Sequence, residues 1–231
     1  MKFLKFFRLF LIIVQMISTG LAQLDEFLLG GIHNSTITDI YGANGTGKTQ
    51  LLLQICINSI KDGGAILYLD TTGNFRPERV LEMDDHATPD LLDKITVLRI
   101  TNTSEQINSI DIMKKQNFSL VVIDNITDLF SYEYQNDELV NKKNMLFMTF
   151  MHQLSLLAIS QNIPVVVTNM IRSIDGKEME NMKSAIDLFT HFKIRLSRIS
   201  SKFRGEVRWL EHHANFTYKI GKKGLVPPED I

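Results

Sequence analysis

From Thr36 onward, continuous apolar runs alternate with stretches of helical spacing. "TITDIY" (Thr36–Tyr41), "AILYLD" (Ala65–Asp70), "ITVLRI" (Ile95–Ile100), "LVVID" (Leu120–Asp124) and "PVVVT" (Pro164–Thr168) are short, β-branched and bounded by turn residues, which predicts buried strands. Between them, Gln50–Lys61 carries Leu51, Leu52, Ile55, Ile57 and Ile60 and predicts a helix. Ser104–Gln116 predicts a second helix, and Asn141–Gln161 a long, mostly apolar one. Strands that are apolar on both faces and alternate with helices imply a parallel sheet covered on both sides. The last segments differ. His191–Ile199, Gly205–His213 and Phe216–Ile220 alternate apolar and polar positions with short breaks, which suits an antiparallel extension at one sheet edge. The expected fold is α/β, with a mostly parallel central sheet, flanking helices and antiparallel C-terminal strands.

Composition narrows the function classes. A chain of 231 residues predicts one domain, and 44% hydrophobic with 22% charged residues is enough apolar matter for a core. The net charge of −1 provides no bulk positive field, so any nucleic-acid contact must come from a local patch. One cysteine, Cys56, makes neither an internal disulfide nor a zinc cage. The six histidines show no metal-ligand spacing. The run Leu9–Val14 is six residues, against roughly 20 for a spanning helix, so no membrane span is expected.

The sequence "GANGTGKT" fits G-x-x-x-x-G-K-[ST] over Gly42–Thr49, between a predicted strand and a predicted helix. In such a loop, Gly42, Ala43, Asn44, Gly45, Thr46, Gly47, Lys48, Thr49 and Gln50 form a phosphate cradle. The glycines let the backbone approach phosphate oxygens, and the helix adds its positive end. Lys48 supplies a point charge on the outer phosphates and Thr49 a hydroxyl for Mg²⁺. Asp124, closing a buried strand, is the expected partner for that ion. ATP and Mg²⁺ are the expected ligands, with Lys48, Thr49 and Asp124 as the catalytic set.

Several stretches together resemble the RecA/RadA recombinase family, and within it the short archaeal RadB type. They are "STGLAQLDEFLLGGI" (Ser18–Ile32), "GTGKTQL" (Gly45–Leu51), "LYLDTTGNFRPERV" (Leu67–Val80), "LVVIDNIT" (Leu120–Thr127) and "PVVVTN" (Pro164–Asn169). The resemblance covers the chain from Ile17 on and implies a RecA-like ATPase core, DNA repair and homologous recombination, binding of DNA, expected to be single-stranded, and a RadA-type recombinase or paralogue partner. A homo-oligomer is compatible with it. Arg79 matches a family arginine that packs over adenine. Two departures bear on mechanism. Where the family has a catalytic glutamate, this chain has Thr72, and its hydroxyl cannot take a water proton. Where the family has a phosphate-sensing glutamine, Asn169 is followed by Met170. Tight ATP binding, weak DNA-dependent hydrolysis at most and weak coupling to DNA are expected, unless Glu78 or Asp70 replaces the missing base.

The resemblance places DNA-facing loops at about Ser131–Lys143 and Met170–Ala185. Arg172, Lys177 and Lys183 in the second are balanced by Asp175, Glu178 and Glu180. A more basic row runs through Lys193, Arg195, Arg198, Lys202, Arg204 and Arg208, of which Arg195 and Arg198 are the candidate contacts. A solvated edge strand is the competing reading. Met145, Phe147, Met148, Phe150 and Met151 are expected as core or a subunit contact. A nucleotide-bound scaffold and a KaiC-type regulatory ATPase without DNA are the alternative functions.

The first 23 residues show the charge, apolar and small-residue order of a secretory signal. Cleavage after Ala22 would remove Ser18–Gly20, which the resemblance assigns to the core, and export would part an ATP-binding protein from ATP. An intracellular protein is therefore expected. Residues 1–15 are read as a non-core extension, with Met16 as the expected start of the core at 16–231; an amphipathic docking segment is the other reading.

Overall fold

The computed structural model describes residues 16–174 and 177–228. The reading of residues 1–15 lies outside them. Among the described residues, β1 (Ile37–Gly42), β2 (Ile66–Asp70), β3 (Ile95–Arg99), β4 (Leu120–Asp124), β5 (Val165–Ile174), β6 (Lys177–Glu180), β7 (Phe192–Ile199), β8 (Lys202–Trp209), β9 (His212–Gly221) and β10 (Gly224–Val226) form one sheet. The order is β10-β9-β8-β7-β1-β5-β4-β2-β3, with β6 hairpinned onto β5. Strands β7, β1, β5, β4, β2 and β3 run parallel. From β7 outward the pairing is antiparallel. The expected architecture is the observed one.

The period-two alternation of the strands explains why both faces are covered. Ile66, Tyr68, Leu120, Val122 and Val166 point into one core, against helices α1 (Ala22–Phe27) and α2 (Lys48–Lys61). Leu67, Leu69, Val121, Ile123, Val165 and Val167 point into the other. That side is closed by α4 (Thr103–Lys115), α5 (Asp128–Glu133), α6 (Val140–Gln161) and α7 (Lys183–Phe189). On α6, Phe147, Phe150 and Met151 are buried, while Met145 is exposed. Helix α3 (Pro77–Met83) begins on proline, whose fixed φ suits a first turn.

The segment after Met16 is built into the core. Ile17 pairs with Ile32, and Thr19 is fully buried with its N–H and hydroxyl both on Asp25. Asn58 of α2 donates to the Ser18 carbonyl at 2.9 Å. Ser18–Gly20 thus braces the helix that follows the glycine-rich loop.

The stretch expected as a second open loop differs. Strand β5 continues to Ile174, β6 returns along it, and α7 starts at Lys183. Alternating residues on both sides of an Asp-Gly pair favour a hairpin over a free loop. The first expected loop is likewise ordered: it holds the end of α5, a 3₁₀ turn at Asp137–Leu139 and the start of α6.

Candidate functional site

Strand β1 lies near the middle of the sheet, and its C-terminal end turns directly into the glycine-rich loop. Gly42 is required by close approach: a Cβ there would lie 2.1 Å from the Leu196 carbonyl oxygen on neighbouring β7. The Lys48 ammonium folds back onto the loop, donating to the carbonyls of Gly42 at 2.9 Å and Ala43 at 3.0 Å. Thr46 Oγ1 also donates to Ala43, at 2.8 Å. Burial lowers the Lys48 pKa, while the carboxylates of Asp124 and Asp128 pull it up.

Parallel pairing sets Asp70 of β2 directly opposite Asp124 of β4. Asp124 is buried and accepts three hydroxyls: Thr49 Oγ1 at 2.9 Å, Tyr68 at 2.9 Å and Thr168 Oγ1. The structure therefore brings Thr49 and Asp124 together from separate elements. Thr49 offers a hydroxyl and Asp124 a carboxylate within one hydrogen bond of each other, the hard oxygen donors that Mg²⁺ prefers, one able to bind directly and the other through water.

On the far side of α2, the Arg79 guanidinium donates to Gln50 Oε1 at 2.7 and 3.0 Å and to the Gly221 carbonyl at 3.1 Å. Arg79 and Gln50 are thus joined at one flank of the loop, although they belong to different helices.

Thr72 and Asp70 form a closed unit. The N–H and hydroxyl of Thr72 both reach Asp70 Oδ1 at 3.1 Å, and the N–H groups of Gly73 and Asn74 join them there. The other oxygen accepts from Phe75 N–H and Arg99. With this many donors Asp70 is a turn anchor, and Glu78 stands exposed in the first turn of α3.

Asn169 is fully buried and its amide is consumed inward. It accepts from Thr127 Oγ1 at 2.7 Å and donates to Glu180 Oε1 at 3.1 Å and the Asn181 carbonyl at 2.8 Å. Through Glu180 this network meets a charge cluster that sequence reasoning missed. Lys193 Nζ lies 2.5 Å from Glu180 and 3.7 Å from Asp39, and also contacts Asp187. Asp39 sits on β1 beside Lys193 in register, is fully buried, and has no hydrogen-bond partner for either oxygen among the described residues. Burial, then the charge of Glu180, raises its pKa well above the usual carboxylate value. The polar Asp39 inside "TITDIY" was the one signal in the sequence.

The basic candidates separate. Lys193 is buried in its carboxylate cluster and leaves the row. Arg195 pairs with Glu178 at 2.8 Å. Arg198 is exposed over the Phe203 ring. Lys183 pairs with Asp187. Arg172 is exposed and lines a cavity of about 430 Å³ with Asp128, Ser131, Tyr132, Gln135 and Met170. The side chain of Lys177 lies outside what is described. Among the described residues no helix is long and apolar enough to cross a membrane. Cys56 is buried, which pushes its thiol pKa up and leaves it no nucleophilic role.

Comparison with known proteins agrees with this geometry. The Rad51 family model matches residues 12–197. The chain is 36% identical over 171 residues to "DNA repair and recombination protein RadA" of Aeropyrum pernix, covering 68% of this chain and 54% of that protein. It is 33% identical to the protein of the same name from Cenarchaeum symbiosum, covering 69% and 44%. It is 32% identical to "DNA repair protein RAD51 homolog B" of Zea mays, covering 71% and 52%. The chain spans about half the length of the curated relatives it matches. A RecA-like sheet, a glycine-rich loop at the end of its central strand and a family match over most of the sequence converge: the chain belongs to the RecA/RadA family, in its Rad51 branch.

Proposed function

We propose that this chain binds ATP with Mg²⁺ in the loop Gly42–Thr49, hydrolyses it slowly, and acts in recombinational DNA repair as a RadB-type accessory to a full recombinase. The observation that carries the nucleotide reading is the 2.9 Å contact between Thr49 and Asp124 across the sheet, beside a lysine parked on the loop. When phosphate enters, Lys48 leaves the carbonyls of Gly42 and Ala43 and pairs with the outer phosphate oxygens. Bound magnesium would neutralise developing phosphate charge, held by Thr49 and, largely through water, by Asp124. Arg79, steadied by Gln50, offers a flat guanidinium to the base.

The repair role rests on family membership and on the names of the relatives. The internal use of the Asn169 amide supports weak coupling between nucleotide and DNA. DNA contact is assigned to Arg172 with Lys177 and Lys183 on one side, and to Arg195 and Arg198 on β7.

Titration with ATP and Mg²⁺ tests the nucleotide reading. Wild type is expected to bind, and Lys48→Ala to lose about a hundredfold or more in affinity, since a charge-assisted contact is removed from each outer phosphate. Equal binding by the two proteins would refute it. For DNA, filter binding of a single strand in rising salt should give a smaller salt slope for Arg195→Ala/Arg198→Ala than for wild type, about one unit per lost phosphate contact. An unchanged slope and affinity would remove this patch from the interface.

A further inference from the structure

We propose that the C-terminal hairpin of β9 and β10 is a working part of the phosphate loop, with Tyr218 as the residue that positions it. The inference deepens the nucleotide-binding reading above and rests on it for its functional meaning.

A loop that binds phosphate with its backbone turns N–H groups inward, so the carbonyls of those peptides turn outward. An outward carbonyl in the interior needs a donor. Lys48 and Thr46 Oγ1 serve the first carbonyls of the loop. The carbonyl of Thr46 is served by Tyr218, whose hydroxyl donates to it at 2.6 Å in a buried contact. The peptide is planar, so holding the Thr46 oxygen sets the direction of the Gly47 N–H on the other side of the same plane. Tyr218 therefore aims a donor at the anion without touching it.

The rest of the hairpin closes the same side. Gly47 has φ 96°, and a Cβ there would lie 3.0 Å from Leu225 Cδ1 and 3.1 Å from Ile220 Cδ1. Gln54 of α2 grips Leu225 twice, donating to its carbonyl at 3.1 Å and accepting its N–H at 2.9 Å. Arg79 holds the Gly221 carbonyl. The loop, the helix it opens and the base-side arginine all lean on residues 218–225. Those residues lie beyond the stretch matched by the family, 12–197. Burial pushes the Tyr218 phenol above its usual pKa, so it remains a donor at neutral pH.

Tyr218→Phe removes the hydroxyl and keeps the ring between Phe203 and Phe216. Two readouts test the proposal: affinity for a fluorescent ATP analogue with Mg²⁺, and amide hydrogen exchange at residues 43–47 without nucleotide. The variant is expected to bind about fivefold more weakly and to exchange about fivefold faster in the loop, with little change in Tm. Exchange equal to wild type in the loop would overturn the proposal, even if Tm fell, because Tyr218 would then be a core residue only. Faster exchange with unchanged affinity would overturn it as well. Should wild type bind no nucleotide, the functional reading fails, and the exchange comparison alone still decides whether Tyr218 holds the loop.

Discussion

Replacing Thr72 with glutamate is expected to speed ATP turnover about a hundredfold, the low end of what general-base help supplies. In the function proposed above, Thr72 stands where a general base would take the proton of an attacking water. The Thr72 hydroxyl is a donor turned toward Asp70. Asp70 cannot stand in, because its oxygens already accept four backbone N–H groups, the Thr72 hydroxyl and the Arg99 guanidinium. Thr72 is only half-buried, so a longer side chain has room there. Single-turnover hydrolysis at saturating ATP measures the effect, with Thr72→Glu/Lys48→Ala as the control. A variant that binds ATP as wild type does and turns over no faster would count against Thr72 as the cause of slow hydrolysis.

Removing the Lys193 ammonium should be among the most damaging single changes outside the site. Lys193→Met keeps most of the side-chain volume but leaves Asp39, Glu180 and Asp187 without their shared cation. Breaking a buried ion cluster from one side costs about 3–5 kcal/mol, and chemical denaturation would show it. Burial by itself would depress the Lys193 pKa, but Asp39 and Glu180 outweigh it and raise the value. The lysine is therefore charged at every pH below the alkaline range, and its contribution is lost only above that. Asp39 works in the opposite window. Its folded pKa is raised, so the folded chain holds this proton more tightly than the unfolded one. That contribution is complete below the unfolded carboxylate value, near about 3.9, and is lost as pH rises through the folded value. Asp39→Asn, which cannot ionise, should gain stability relative to wild type as pH is raised from 4 toward 8. Parallel pH dependence of the two proteins would show that Asp39 does not titrate in this window.

The parallel strands were legible because apolar runs such as "LVVID" and "PVVVT" have no other stable place than a sheet covered on both faces. The glycine-rich loop was legible because its chemistry is local: every member lies within Gly42–Gln50. Asp124 could be singled out by its place at the end of β4, where it meets Thr49. What escaped depends on pairing. Lys193 reads as one of a basic row until β1 and β7 are set side by side, which puts it against Asp39. The hairpin of β5 and β6 carried an Asp-Gly signal, but its near-balanced charges favoured a solvated loop. Tyr218 showed nothing in the sequence, since its partner is a backbone carbonyl on the opposite side of the chain order.

The Tyr218–Thr46 bond joins an early part of the chain to a late one. On the ribosome, residues 42–49 emerge long before residues 212–226. The hydrophobic halves of the sheet can begin to assemble in that interval, but the loop lacks the donor and the side chains that hold it open. On the Tyr218 proposal, competence to bind nucleotide follows the emergence of β9 and β10 rather than the appearance of the binding motif. Nascent chains arrested with β9 and β10 still inside the exit tunnel should capture little ATP, and chains tethered so that both strands have emerged should capture it fully.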